Sequence, residues 1–155
     1  MLIVSASFGA TVDESLYIMR DSITFSDGSK APYLTYNSSQ IFSSTNVRIE
    51  LNMNDQLDLW VVNSDTAAHE FEIKGVTSVF FIPAGDSIFT SNVFSTAGAF
   101  IYYDPLNYPN NASIGLSGMI AVKDHQHSSF YWNIKEHKDT WNSDITSGIA
   151  VDWNT

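Results

Sequence analysis

A chain of 155 residues, 44% hydrophobic and 14% aromatic, holds enough apolar material for one domain with a sizeable core. Its formal net charge of -10, from 17 acidic and 7 basic residues, repels phosphate backbones and anionic leaflets, so no nucleic acid partner is expected. With no cysteine, disulfides, zinc–thiolate sites and thiolate-bound copper are all excluded.

In chain order, Leu2–Ser5 reads as a first strand and Ser15–Arg20 as a second. The opening MLIVSASFGA lacks a basic segment and a long enough apolar run for an intact signal peptide. No run of about 20 apolar residues occurs, so no membrane insertion is expected. Residues 25–32, FSDGSKAP, are rich in turn formers around Asp27-Gly28, and Leu34–Asn37 and Ile41–Phe42 are short extended pieces.

Alternation sharpens from Val47: Val47, Ile49, Leu51 and Met53 fall on one face, Arg48, Glu50 and Asn52 on the other. Asn54-Asp55 turns the chain into Leu57–Asn63, whose inner face is Leu57, Leu59 and Val61. After a loop over 64–68, His69–Lys74 alternates again, with His69, Phe71 and Ile73 inward and Gly75 as the stop. Val79–Ile82, a Pro83–Asp86 turn, Ser87–Phe94, Ala99–Asp104 and Met119–Val122 complete the series, with a Pro/Asn-rich loop between the last two. Roughly eight or nine short strands with regular turn signals make an all-β, Greek-key sandwich or barrel.

Residues 123–129, KDHQHSS, read as a linker. Beyond them Phe130, Trp132 and Ile134 share one strand face, and Trp141 and Trp153 follow. Burying one such ring contributes about 2–3 kcal/mol. The expected organisation is one domain over 1–124. Residues 125–155 then form a linker and the start of a second domain, or an extension that packs on a partner.

Three motifs in sequence point to a family. Asn54-Asp55 followed by LDLWVVN and then His69-Glu70-Phe71-Glu72-Ile73 forms the first. Ile82-Pro83-Ala84-Gly85-Asp86 leading to Phe94–Phe100 forms the second, and Ile114–Val122, IGLSGMIAV, the third. In that order and spacing, over about residues 45–123, the chain resembles a cupredoxin domain of the multicopper oxidase and copper nitrite reductase type. The resemblance implies a cupredoxin-like Greek-key β-sandwich and, for the whole protein, a periplasmic or secreted location.

The resemblance also implies where copper would sit. His69 falls at the first histidine position, Asp104 at the cysteine position, Asn111 near the second histidine and Leu116 at the axial methionine. Lys74 and Tyr103 occupy the positions where a second copper would take histidines. A blue-copper centre needs two imidazoles, a thiolate and a weak axial thioether. The copper site is therefore read as lost, with no cofactor expected in this chain and copper confined to related domains. The expected partner is a further cupredoxin domain, or another copy of the chain, engaged through 125–155.

Other candidates are weaker. His69 and Asp104 point to one pole, where they would make either a mixed N/O metal site or a hydrogen-bonded pair. His125 and His127 could chelate at i,i+2 but fall short of a closed site. Tyr103 and Tyr108, with Asn107 and Asn110, offer a candidate binding surface for a glycan or peptide. Asn37-Ser38-Ser39 and Asn111-Ala112-Ser113 fit the N-glycosylation triplet. No nucleophile elbow, phosphate loop or zinc-protease motif is present. The expected role is thus non-catalytic, structural or interactive. The alternatives are a piece of an active multicopper oxidase whose copper lies in other domains or subunits, and a glycan- or peptide-binding module.

Overall fold

A computed structural model of the chain describes residues 9–124. It shows a two-sheet sandwich. The strands are β1 (Thr11–Thr24), β2 (Lys30–Asn37), β3 (Arg48–Asn52), β4 (Gln56–Asn63), β5 (His69–Ile73), β6 (Phe80–Ile82), β7 (Ser87–Val93), β8 (Gly98–Tyr103) and β9 (Ser117–Lys123). A single short helix, α1 (Asn110–Ser113), lies in the β8–β9 connection, where the sequence predicts only loop. One sheet has the order β2-β1-β4-β7 and the other β3-β9-β8-β5-β6. The chain passes repeatedly between sheets, so strands distant in sequence become neighbours, and β1–β4 and β3–β9 pair in parallel.

The core lies where the period-two pattern puts it. Leu57, Leu59 and Val61 of β4 are fully buried, and across the sandwich so are Phe71 and Ile73 of β5, Tyr102 of β8 and Ile120 of β9. Tyr36 of β2 meets Phe71 and Tyr102 edge-on, with ring centroids 5.9 and 5.1 Å away. Such aromatic pairs add about 0.5–1.5 kcal/mol each beyond burial. Tyr102 also donates its hydroxyl to the carbonyl of Val47, tying β8 to the start of β3. It stands opposite Gly118 of β9, and a Cβ there would lie 2.2 Å from the phenol ring.

Several boundaries differ from expectation. β1 runs for 14 residues rather than over Ser15–Arg20 alone, because its first half pairs with β4 and its second half with β2. Its strand character is masked in sequence by Asp13, Glu14 and Asp21. β2 starts at Lys30, inside the predicted turn stretch, and Ile41–Phe42 is not a strand; Ile41 is exposed. Met53, placed inward by alternation, faces solvent, because the chain turns at Asn54 with a φ of 74°. Leu2–Ser5 and everything read in 125–155, including His125, His127 and the tryptophans, lie outside the described residues. Among the described residues no helix is long and apolar enough to cross a membrane.

Candidate functional site

At one pole of the sandwich, polar side chains are buried together. His69 opens β5 and is inward by the same parity as Phe71 and Ile73. Its Nδ1 lies 2.7 Å from Asp104 Oδ2, just past the end of β8. Its Nε2 lies 2.8 Å from Oδ2 of Asp65, in the β4–β5 loop. The exposure of all three side chains is 2% or less. Burying them without partners would cost several kcal/mol, so each must be satisfied.

Each is. The Asp104 carboxylate also accepts the backbone N–H groups of Glu70 (3.0 Å) and Leu106 (2.7 Å) and the Nδ2 amide of Asn111 (2.8 Å). Asp65 accepts from Nε of Arg20 at 2.9 and 3.0 Å and from the Thr66 backbone at 2.7 Å, and it pairs with the outer guanidinium nitrogen of Arg20 at 2.7 Å. The Asp65 N–H is itself held by Asn63 Oδ1, whose amide nitrogen donates to the carbonyls of Ala67, Ile82 and Pro83. Arg20 shares the strand parity of Leu16 and Ile18 on β1 but is 38% exposed at its side chain, and through Asp65 the chain of contacts links one sheet to the other.

The electrostatics follow from this geometry. Both ring nitrogens of His69 face carboxylate oxygens, so both contacts are hydrogen bonds only when each nitrogen carries a proton. Burial pulls the imidazole pKa down, but hydrogen bonds to Asp104 and Asp65, and their charges, outweigh it and leave it above the ordinary 6.5. Burial pushes Asp65 up, yet the bonds from His69, Arg20 and Thr66, and the guanidinium charge, hold it well below the usual carboxylate range. The Arg20 guanidinium, the Asp65 carboxylate and, below its raised pKa, the His69 imidazolium alternate in sign.

The resemblance places His69, Asp104 and Asn111 at one pole, and in the structure direct hydrogen bonds join them. Leu116 closes the same pole: it is fully buried, its carbonyl accepts the Asp104 N–H at 3.2 Å and its N–H binds the Asn111 carbonyl at 3.0 Å. Asp65 and Arg20 were not foreseen. Asp65 lies four residues before His69 in a loop, and only the even-numbered run 16-18-20 on β1 could have flagged Arg20.

In the structure His69 and Asp104 form a hydrogen-bonded pair, and Asp65 takes the second ring nitrogen. Among the described residues no group of three or more His, Cys, Asp and Glu side chains could hold a metal ion. The chain has no cysteine, so it offers no thiolate to a type 1 copper. The asparagine amides of both glycosylation triplets are hydrogen-bonded. The Asn37 amide donates to Thr35, Ser43 and Thr45, and that of Asn111 to Asp104.

Lys74 and Tyr103 lie elsewhere, on the outer face of the five-stranded sheet. Tyr103 donates its hydroxyl to Glu72 Oε2 at 2.8 Å, which, with partial burial and the Glu72 charge, pushes the phenol up to about 12. Tyr108 meets Tyr103 edge-on at 5.8 Å and is 67% exposed. Asn107, at a φ of 58°, and Asn110, opening α1, share its loop.

No protein-family model and no curated protein matches this sequence. Solved structures do. A multicopper oxidase from Pseudomonas thermotolerans superposes with a TM-score of 0.65 at 16% identity, over 79% of this chain and 32% of that one. Copper nitrite reductase from Nitrosomonas europaea gives 0.64 at 15% identity, over 72% and 41%. A multicopper oxidase from Campylobacter jejuni, described as a metallo-oxidase, gives 0.61 at 21%, over 77% and 27%. The described chain has the cupredoxin-like fold of these proteins' domains, as the motifs imply. It corresponds to about a quarter to two fifths of their length.

Proposed function

We propose that this chain is a copper-free cupredoxin-like domain with a structural role in a multicopper-oxidase-like protein. One observation carries the reading: at the pole where the resemblance places copper, both imidazole nitrogens of His69 are committed to carboxylates. The Asp65–His69–Asp104 chain takes over the bridging that a metal would do, joining β5, the β8 end and the β4–β5 loop. The family resemblance is the support for a periplasmic or secreted location, and a partner domain or second copy, engaged through residues 125–155, belongs to the same proposal.

The test is direct. Purified protein mixed with Cu(II) is expected to show no intense visible band and to lose its copper on desalting. An intense band that disappears in His69→Ala would overturn the reading. A second reading is that the chain belongs to a working oxidase whose copper lies in other domains, favoured by its match to only part of each solved oxidase. Copper in the protein isolated from its source, at a stoichiometry this domain does not account for, would support it.

A further inference from the structure

The outer face of the five-stranded sheet carries a pocket of about 310 Å³, lined by Lys74, Ile101, Tyr103, Tyr108, Ala112 and Ser117. That volume is at the small end for ligand sites, which run from about 300 Å³ upward. It is built rather than incidental: Glu72 holds Tyr103 by its hydroxyl, and Tyr103 in turn packs edge-on against Tyr108. Lys74 makes no ion pair among the described residues, and Ile101 is half exposed although it sits mid-strand.

We propose that this pocket binds a neutral sugar ring, one unit of an oligosaccharide. A pyranose presents an apolar C–H face and a rim of hydroxyls, and so needs an exposed aromatic ring with hydrogen-bonding groups of both kinds nearby. Tyr108 supplies the ring, Lys74 donors, and Tyr103, whose hydroxyl proton goes to Glu72, a phenol oxygen that accepts. Charge narrows the choice. The Glu72 carboxylate and the net charge of -10 oppose an anion, whereas Lys74 opposes a cation.

Topology argues against an extended peptide. β8 lies between β9 and β5, so its Tyr102–Tyr103 end beneath the pocket is already paired on both sides and offers a peptide strand no place to add. The proposal goes beyond the structural role above and does not depend on it: sugar binding and copper binding are read out separately.

The experiment titrates the full chain with neutral cello-, xylo-, manno- and chito-oligosaccharides, each a hexamer, and with the acidic hexamer of galacturonate, following amide shifts by NMR. At least one neutral hexamer is expected to move the amides of Tyr103, Tyr108 and Ser117. Tyr108→Ala is expected to weaken that binding by about tenfold, the equivalent of about 1.4 kcal/mol. Because Tyr108 is largely exposed, this variant keeps its fold; should its melting temperature fall, Lys74→Ala serves in its place, with a several-fold loss expected. Silence across all neutral hexamers overturns the proposal. So does binding unchanged by both substitutions, or tighter binding of the galacturonate.

Discussion

His69 is the residue on which the polar pole turns, and its two neighbours set a sign for pH dependence. Its folded pKa lies above 6.5, so its contribution to stability is complete below that value and is lost as pH rises through the folded pKa. Asp65 runs the other way. Its folded pKa lies below 3.8, so its contribution is present above that value and is lost as pH falls toward the folded one. Stability is therefore expected to peak between the two, on the mildly acidic side of neutrality. An NMR titration of the His69 ring should give a midpoint above 6.5, and one shifted further up by Asp65→Asn would be the wrong direction. A midpoint below 6.5 in the wild type would mean that burial wins over the carboxylates. Removing one partner of such a buried pair typically costs about 3–5 kcal/mol, because the other charge is left stranded. That asymmetry keeps Asp65, His69 and Asp104 together.

At the scale of strands, β8 and β9 show how a small residue fixes a large one. Tyr102 and Gly118 are cross-strand partners, and the absent Cβ of Gly118 makes room for the phenol that reaches Val47. Tyr102 is fully buried and cannot swing away. Gly118→Ala is accordingly expected to cost about 1–3 kcal/mol by overpacking, measured by urea unfolding. No loss would show that the ring has room to shift. Much of this architecture was legible beforehand. In β3, β4 and β5 the apolar residues recur every second position, and each such strand is present within a residue or two. β1 was read too short because acidic residues interrupt its alternation. α1 was missed because a four-residue helix leaves no period to detect. The site was half legible. His69 follows from strand parity and Asp104 from the family resemblance, but their link to Asp65 and Arg20 depends on how a loop and a strand of the other sheet approach, a long-range matter on which local pattern is silent.

For the molecule as a whole, the balance between self-repulsion and ion pairing decides how it responds to salt. The net charge of -10 favours expansion at low ionic strength. Opposing it on the surface, among the described residues, are the contacts of Glu50 with Arg48 and Lys123, both between side chains at least a third exposed. Exposed pairs of this kind contribute about 0–1 kcal/mol each. The Arg20–Asp65–His69–Asp104 chain is largely buried and only weakly screened. Raising salt from about 0.01 M to about 0.15 M shortens the screening length from about 30 Å to about 8 Å, which removes repulsion between distant acidic groups and leaves the buried chain nearly untouched. The melting temperature is therefore expected to rise over this range, by calorimetry at fixed mildly acidic pH. A fall would mean that surface pairing outweighs repulsion, and that the excess of acidic residues is tolerated because it is locally neutralised rather than because the buried pole compensates for it.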